Sequence, residues 1–156
     1  MSMLTVSLLR QACRMLGWTA IGPWPEHLEG LGSDTRQSLA HQVFVALAGE
    51  HFDGHDFIEA AVAAEARVLS VHRLFASQVA RRHPDRLVGV EDTLYAMGEL
   101  ARLALLEDER MVVAITGSAG KTTTRWALVQ TLEALGVQVH TQVGNENNRI
   151  GVPRFL

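Results

Sequence analysis

The chain has a single cysteine in 156 residues, so no internal disulfide can form. A lone thiol fits a reducing compartment, and Cys13 lies in a helical apolar pattern that assigns it to packing. No apolar run approaches the roughly 20 residues that a membrane-spanning helix needs. The opening "MSMLTVSLLR" has no basic stretch followed by a long apolar core, which argues against a secretory signal. Runs of like charge are missing too, and a formal net charge of −3 gives no footing for nucleic acid. Internal repeats and low-complexity segments are absent. The expectation is a soluble cytoplasmic protein that engages neither membrane nor nucleic acid.

What is present is ordinary globular composition, 47% hydrophobic and 20% charged. Residues 5–17 read as a helix, with Val6, Leu9, Cys13 and Leu16 at three- and four-residue spacing and Gly17 as a C-terminal cap. "IGPWPEHLEGLGS" reads as loop with a short strand at most. The apolar run 43–47 suits a buried strand. A helix is expected from about Asp56 to Ala64, then a strand in "ARVLSV". A helix over 74–82 stops before Pro84, and "RLVGV" is another strand. Asp92 is a good N-cap for a helix over 92–106. After the charged turn "EDER", "MVVAIT" reads as a strand, 122–135 as a helix ended by Gly136, and "VQVHTQ" as a short strand. Alternating strands and helices predict an α/β fold. The division falls at "EDER": a small α/β domain over 1–106, then the start of a parallel-sheet unit over 111–156.

The stretch "VAITGSAGKTTTRW" carries the clearest chemistry. A triphosphate concentrates negative charge. Backbone N–H groups at a helix N-terminus, helped by the helix dipole, can meet it. Close approach needs residues without Cβ, which Gly117 and Gly120 supply. Lys121 is placed to reach the β- and γ-phosphates, and the Thr122 hydroxyl to ligate Mg²⁺. Gly117, Ser118, Ala119, Gly120, Lys121, Thr122 and Thr123 are therefore the candidate ATP-phosphate residues. Lys121 is the candidate catalytic group. The general phosphate-loop pattern asks for a glycine five residues before Gly120, and that position is Ile115. The loop is thus a shorter "TGSAGKT" form.

"ITGSAGKTTT" followed by "GNENNRIGVP" resembles the Mur ligases, the ATP-dependent amide-bond ligases of peptidoglycan synthesis. The segment "SDTRQSLAHQVFVALAGEHFDGHDFIEAAVAAEARVLSV" is similar to the branch that joins D-alanyl-D-alanine to a UDP-N-acetylmuramoyl-tripeptide. The resemblance runs from about Val6 to Pro153. It implies that the first domain holds the uridine diphosphate end of the UDP-N-acetylmuramoyl-peptide. Ser33, Asp34, Thr35 and Arg36 match the family's "SDSR"-like loop. Asp53, Gly54 and His55 lie in the matching "GEHFDGHDF" segment. Asn145, Asn147 and Asn148 match the family's "GNxNNxIGVP" motif near substrate and phosphates. Two departures stand out. "LAHQV" replaces the family's Pro-Gly-Asp type turn before "FVAL", and Glu146 and Arg149 occupy variable positions of the asparagine motif.

Plainer readings of the same residues stand beside these. Asp34 and Arg36 suit a turn with a surface ion pair. His51, Asp53, His55 and Asp56 are metal-ligating types in close spacing. A turn permitted by Gly54, with Asp53 or Asp56 capping the next helix, is the preferred reading. Asn145, Asn147 and Asn148 are also good loop formers.

By the resemblance, a substrate carboxylate attacks the γ-phosphate of ATP, and an amine then displaces phosphate from the acyl phosphate. Positioning and charge neutralisation dominate such a transfer. The family's second-Mg²⁺ glutamate, carbamylated lysine and amine-binding domain all map beyond Leu156. The expectation is that this chain alone does not complete the reaction. It reads as part of a ligase, with two alternatives: a short nucleotide- or UDP-sugar-binding module, or half of a split ligase completed by another chain.

Overall fold

The computed structural model describes residues 4–107, 111–141, 151 and 153. Helix α1 spans Val6–Leu16. It begins there because the Thr5 hydroxyl accepts the Leu8 N–H at 3.1 Å, and it ends at Gly17 in the left-handed region. Then come strands β1 (Thr19–Ile21), β2 (Gly30–Gly32) and β3 (Gln42–Val45), a 3-10 turn (Gly54–Phe57) and helix α2 (Ile58–Ala63). Strand β4 (Val68–His72), helix α3 (Arg73–Arg82), strand β5 (Leu87–Val90) and helix α4 (Thr93–Glu107) follow. Helix α5 covers Lys121–Ala134.

The strands form one sheet in the order β1-β5-β4-β3-β2. β2, β3, β4 and β5 run parallel, and β1 closes the far edge antiparallel to β5. Both faces of the sheet are covered. Val43, Val45, Val68, Val88 and Val90 pack with Leu8, Leu9 and Ala12 of α1 and Met97, Leu100 and Leu103 of α4. Phe44, Leu69, Val71 and Leu87 pack with Ile58 and Ala61 of α2 and Val79 of α3. Alternate residues of each strand thus serve opposite layers. This is why the strands read as continuous apolar runs and not as an in–out alternation. Each large side chain buried this way contributes about 1.5–3 kcal/mol relative to exposure.

The chain divides into two compact units, Met1–Asp108 with Asn147–Leu156, and Glu109–Glu146. The expected α/β sheet is present in the first. The "IGPWPEHLEGLGS" region adds strand β2 and the end of β1. The helix expected over 56–64 is a 3-10 turn followed by six residues of α-helix. The second unit differs more from expectation. Residues 111–116 and 137–141 form no strand ladder, in contrast to the strands expected in "MVVAIT" and "VQVHTQ". A parallel strand exists only by lateral pairing of its N–H and C=O groups, and no paired strand lies among the described residues of this unit. Helix α5 stands where expected, with none of its residues buried.

Candidate functional site

In a parallel sheet every strand ends at the same edge. The registers place Gly32 beside Phe44, Val45 beside Ser70, and His72 beside Val90. Residues 33–36 after β2, residues 46–55 after β3, and the first turns of α3 and α4 therefore share the C-terminal edge. Open α/β sheets bind ligands just outside this edge. Two of the sequence-assigned clusters, Ser33 to Arg36 and Asp53 to His55, are brought to it from segments some twenty residues apart.

The first cluster is a self-supported turn. The Arg36 guanidinium donates Nε to Asp34 Oδ1 and Nη2 to Asp34 Oδ2, both at 2.8 Å. The Arg36 backbone N–H also donates to Asp34 Oδ1 at 3.1 Å. That pairing pushes the arginine further toward permanent charge. Ser33, Asp34 and Thr35 are half-buried and Arg36 is exposed, so the guanidinium is presented to solvent in a fixed orientation.

The second cluster is packed more tightly. Ala48 bridges Asp53 in antiparallel fashion and the Gly49 N–H donates to the Phe52 carbonyl, making a small hairpin with Glu50, His51 and Phe52 at its tip. Gly54 then passes so close to the segment following β3 that a Cβ there would lie 2.6 Å from the Leu47 nitrogen. No other residue fits. Asp53 caps the 3-10 turn by accepting the His55 N–H at 2.9 Å, and this bond, with the imidazole, holds its carboxyl below the ordinary range. The His55 ring is 6% exposed. Its Nδ1 meets Asp53, its Nε2 accepts the His72 N–H at 2.9 Å, and it stacks on Phe75. The turn-and-cap reading of this segment is thus found. Among the described residues, no group of three or more His, Cys, Asp or Glu is disposed to hold a metal ion. The partners of His55, namely His72 and Phe75, carried no sequence signal, because they are tied to it only across the sheet edge.

The glycine loop over 117–120 belongs to the second unit. Gly117 and Gly120 both have positive φ, 154° and 76°, as a loop folding back onto a helix start requires. Gly120 is the N-cap of α5, no side chain caps the first turn, and the Thr124 N–H bonds the Gly120 carbonyl at 2.9 Å. The leading amides of a helix have no intrahelical partner. Lys121 lies at the first helical position and its Nζ donates to the Gly117 carbonyl at 2.5 Å. Residues 117–120 and Thr122 and Thr123 are exposed. The set fits a nucleotide phosphate and its magnesium: amides, a lysine and a hydroxyl on one helix start. Asn145, Asn147 and Asn148 lie outside the described residues.

The profile described as "Mur ligase family, catalytic domain" matches residues 27–105, and that of the "Mur ligase middle domain" matches residues 115–156. The chain belongs to the Mur ligase family. The UDP-N-acetylmuramoyl-tripeptide–D-alanyl-D-alanine ligase of Bacillus subtilis (strain 168) is 36% identical over 148 residues, covering 93% of this Mur ligase chain and 31% of that protein. A crystal structure of MurF from Acinetobacter baumannii superposes with a TM-score of 0.76 at 30% identity, over 97% of this chain and 32% of that one. The MurF ligase of Thermotoga maritima, solved in complex with ADP, gives a TM-score of 0.66 at 33% identity, over 80% of this chain and 27% of that one. The Mur ligase chain therefore spans about a third of the length of these relatives. No helix among its described residues is long and apolar enough to cross a membrane.

Proposed function

We propose that residues 1–106 bind the UDP-N-acetylmuramoyl-tripeptide and that residues 111–156 begin the ATP site of a D-alanyl-D-alanine-adding ligase, working in the cytoplasm. The carrying observation is the glycine loop of positive φ that leads into α5, with Lys121 at its first position. The "GNENNRIGVP" segment and the relatives' names narrow the chemistry to amide-bond ligation.

In the proposed reaction a substrate carboxylate oxygen attacks the γ-phosphorus of ATP, the bond to the β-phosphate oxygen breaks, and ADP leaves. The amine of D-alanyl-D-alanine then attacks the acyl carbon and expels inorganic phosphate. Lys121 and the loop amides at Ser118, Ala119 and Gly120 neutralise phosphate charge, which is where such transfers gain most. The Thr122 hydroxyl would hold Mg²⁺, which would offset charge on the phosphate oxygens, and Thr123 beside it would face the phosphates. Ser33, Asp34, Thr35, Arg36 and the hairpin that closes at Asp53 and Gly54 hold the nucleotide-sugar, with His55 packed behind that hairpin, and Asn145, Asn147 and Asn148 line the substrate side.

Met111, Val113 and Trp126 are 89%, 56% and 65% exposed. Such an apolar surface needs cover. We therefore assign the complete reaction to this chain together with further polypeptide that supplies neighbouring strands, the amine site and the second metal ligand, whether continuous with it or a complementing chain.

Calorimetry tests the two halves separately. ATP with Mg²⁺ should bind the wild-type chain and bind Lys121→Ala at least about tenfold more weakly, the cost of one charge-assisted contact. Equal affinities would remove Lys121 from the site. UDP-N-acetylmuramoyl-tripeptide should bind both forms alike, and a folded chain that ignores it would sink the assignment of 1–106.

A further inference from the structure

His55 is a titratable side chain almost closed to solvent. Its ring is 6% exposed, one face lies on Phe75 at 4.1 Å between centroids with an interplanar angle of 19°, and both nitrogens are engaged within the protein. The bonds fix its tautomer. The His72 backbone N–H is a donor and points at Nε2, so Nε2 carries no proton. The single proton of the neutral ring is on Nδ1 and faces Asp53 Oδ1. The ring thereby joins three segments: the hairpin 48–53, the end of β4 at His72, and α3 through Phe75.

We propose that His55 is a positioning residue: as a neutral Nδ1–H imidazole it clamps the 48–53 hairpin to the start of α3, and so sets affinity for the nucleotide-sugar without touching it. This rests on the assignment of the sheet edge as the nucleotide-sugar site. The hairpin needs such a clamp. Its tip residues Glu50, His51 and Phe52 are all exposed, and its backbone is closed by two bonds, Gly49 N–H to the Phe52 carbonyl and Gly54 N–H to the Leu47 carbonyl, which make the Ala48–Asp53 bridge. A short exposed hairpin of this kind is marginal by itself. Asp53, the residue that closes it, is also the residue that His55 grips. Displacing the imidazole leaves Asp53 held by the His55 backbone N–H alone and the His72 N–H at the head of α3 without its acceptor, so the tip loses its fixed height over the edge. A ligand must then order the tip as it binds, and that ordering subtracts from affinity.

The test uses the whole 156-residue chain. Imidazole ¹⁵N shifts should report the Nδ1–H tautomer for His55, and a ring protonated on Nε2 alone overturns the proposal. In His55→Ala, amide exchange should quicken over 48–53 and at His72 while β3, β4 and β5 keep their protection. Affinity for UDP-N-acetylmuramoyl-tripeptide should fall about tenfold, with ATP affinity unchanged. Exchange that rises equally across the sheet would mean a merely structural role and overturns the proposal. His55→Asn keeps a donor for Asp53 but does not reach His72; it should retain the Ala48–Asp53 closure yet still bind more weakly than wild type. Full affinity in the Asn variant overturns the tie to His72. Wild type that binds while His55→Ala binds equally overturns this proposal alone; wild type that binds no nucleotide-sugar overturns the site assignment and this proposal with it.

Discussion

The Thr93 hydroxyl donates to the Ala46 carbonyl oxygen at 2.8 Å in a site closed to solvent, across 47 residues of sequence. It fastens the start of α4 to the end of β3, at the edge where the Ser33–Arg36 turn and the 48–53 hairpin lie. Thr93→Val keeps the shape and removes the donor, leaving a buried carbonyl unpaired. The expected loss is about 1–3 kcal/mol, read as a lower urea midpoint. An unchanged midpoint would show that the bond adds nothing to stability.

Gly54→Ala should be costly for a different reason. The new methyl would sit 2.6 Å from the Leu47 nitrogen and 2.7 Å from the Leu47 oxygen. Both are backbone atoms of the segment following β3, and neither can rotate away. Forced overpacking of this kind costs about 1–3 kcal/mol or more. Thermal unfolding should show it, and a melting temperature equal to wild type would disprove the close approach.

Acid should loosen the same turn. The Asp53 carboxyl lies below its ordinary value of 3.8, first because it accepts the His55 N–H and then because of the imidazole. A depressed folded value means the ionised cap stabilises the fold above 3.8, and that contribution is lost as pH falls through the still lower folded value. The side chain is 39% exposed, so solvent screens the gain and the effect is modest. Wild type should therefore lose more stability than Asp53→Asn between about pH 5 and pH 2. Parallel pH profiles for the two proteins would count against the cap.

Cys13 gives an alkaline counterpart. Burial pushes its thiol up to about 11 from 9.0. The folded value is raised, so its contribution is complete below 9.0 and is lost as pH climbs toward 11. At neutral pH the thiol is neutral and covered, which makes it a poor nucleophile. A disulfide reagent should label native protein far more slowly than unfolded protein. Equal rates would mean that α1 does not stay packed on the sheet.

Much of the first unit was legible in advance because its signals are local. Thr5 and Gly17 bracket α1 by cap chemistry, Asp92 accepts the Tyr95 N–H at the head of α4, and the runs around Val43, Leu69 and Val88 are apolar because both sheet faces are covered. The run 111–116 misled for the same reason that the others succeeded. Apolar β-branched residues favour a strand, but a strand forms only against a partner, and composition does not report one. At the site, the Asp34–Arg36 pair was readable from two-residue spacing. His55 was legible only as part of the "FDGH" segment; that its nitrogens are engaged by Asp53 and by His72, 17 residues away, and its face by Phe75, was not.

The sequence by itself determined the glycine loop proposed to hold phosphate, since Gly117, Gly120 and Lys121 bring backbone freedom and charge within five residues of one another. It determined family membership by the same token, through motifs that are contiguous. Only the tertiary structure decided which edge collects the "SDTR" turn and the "FDGH" segment, because parallel pairing alone puts the ends of β2, β3, β4 and β5 side by side. It alone decided that His55 faces inward. The direction of a side chain is set by what packs against it, and for His55 that is a backbone amide and a phenyl ring contributed by later segments of the chain.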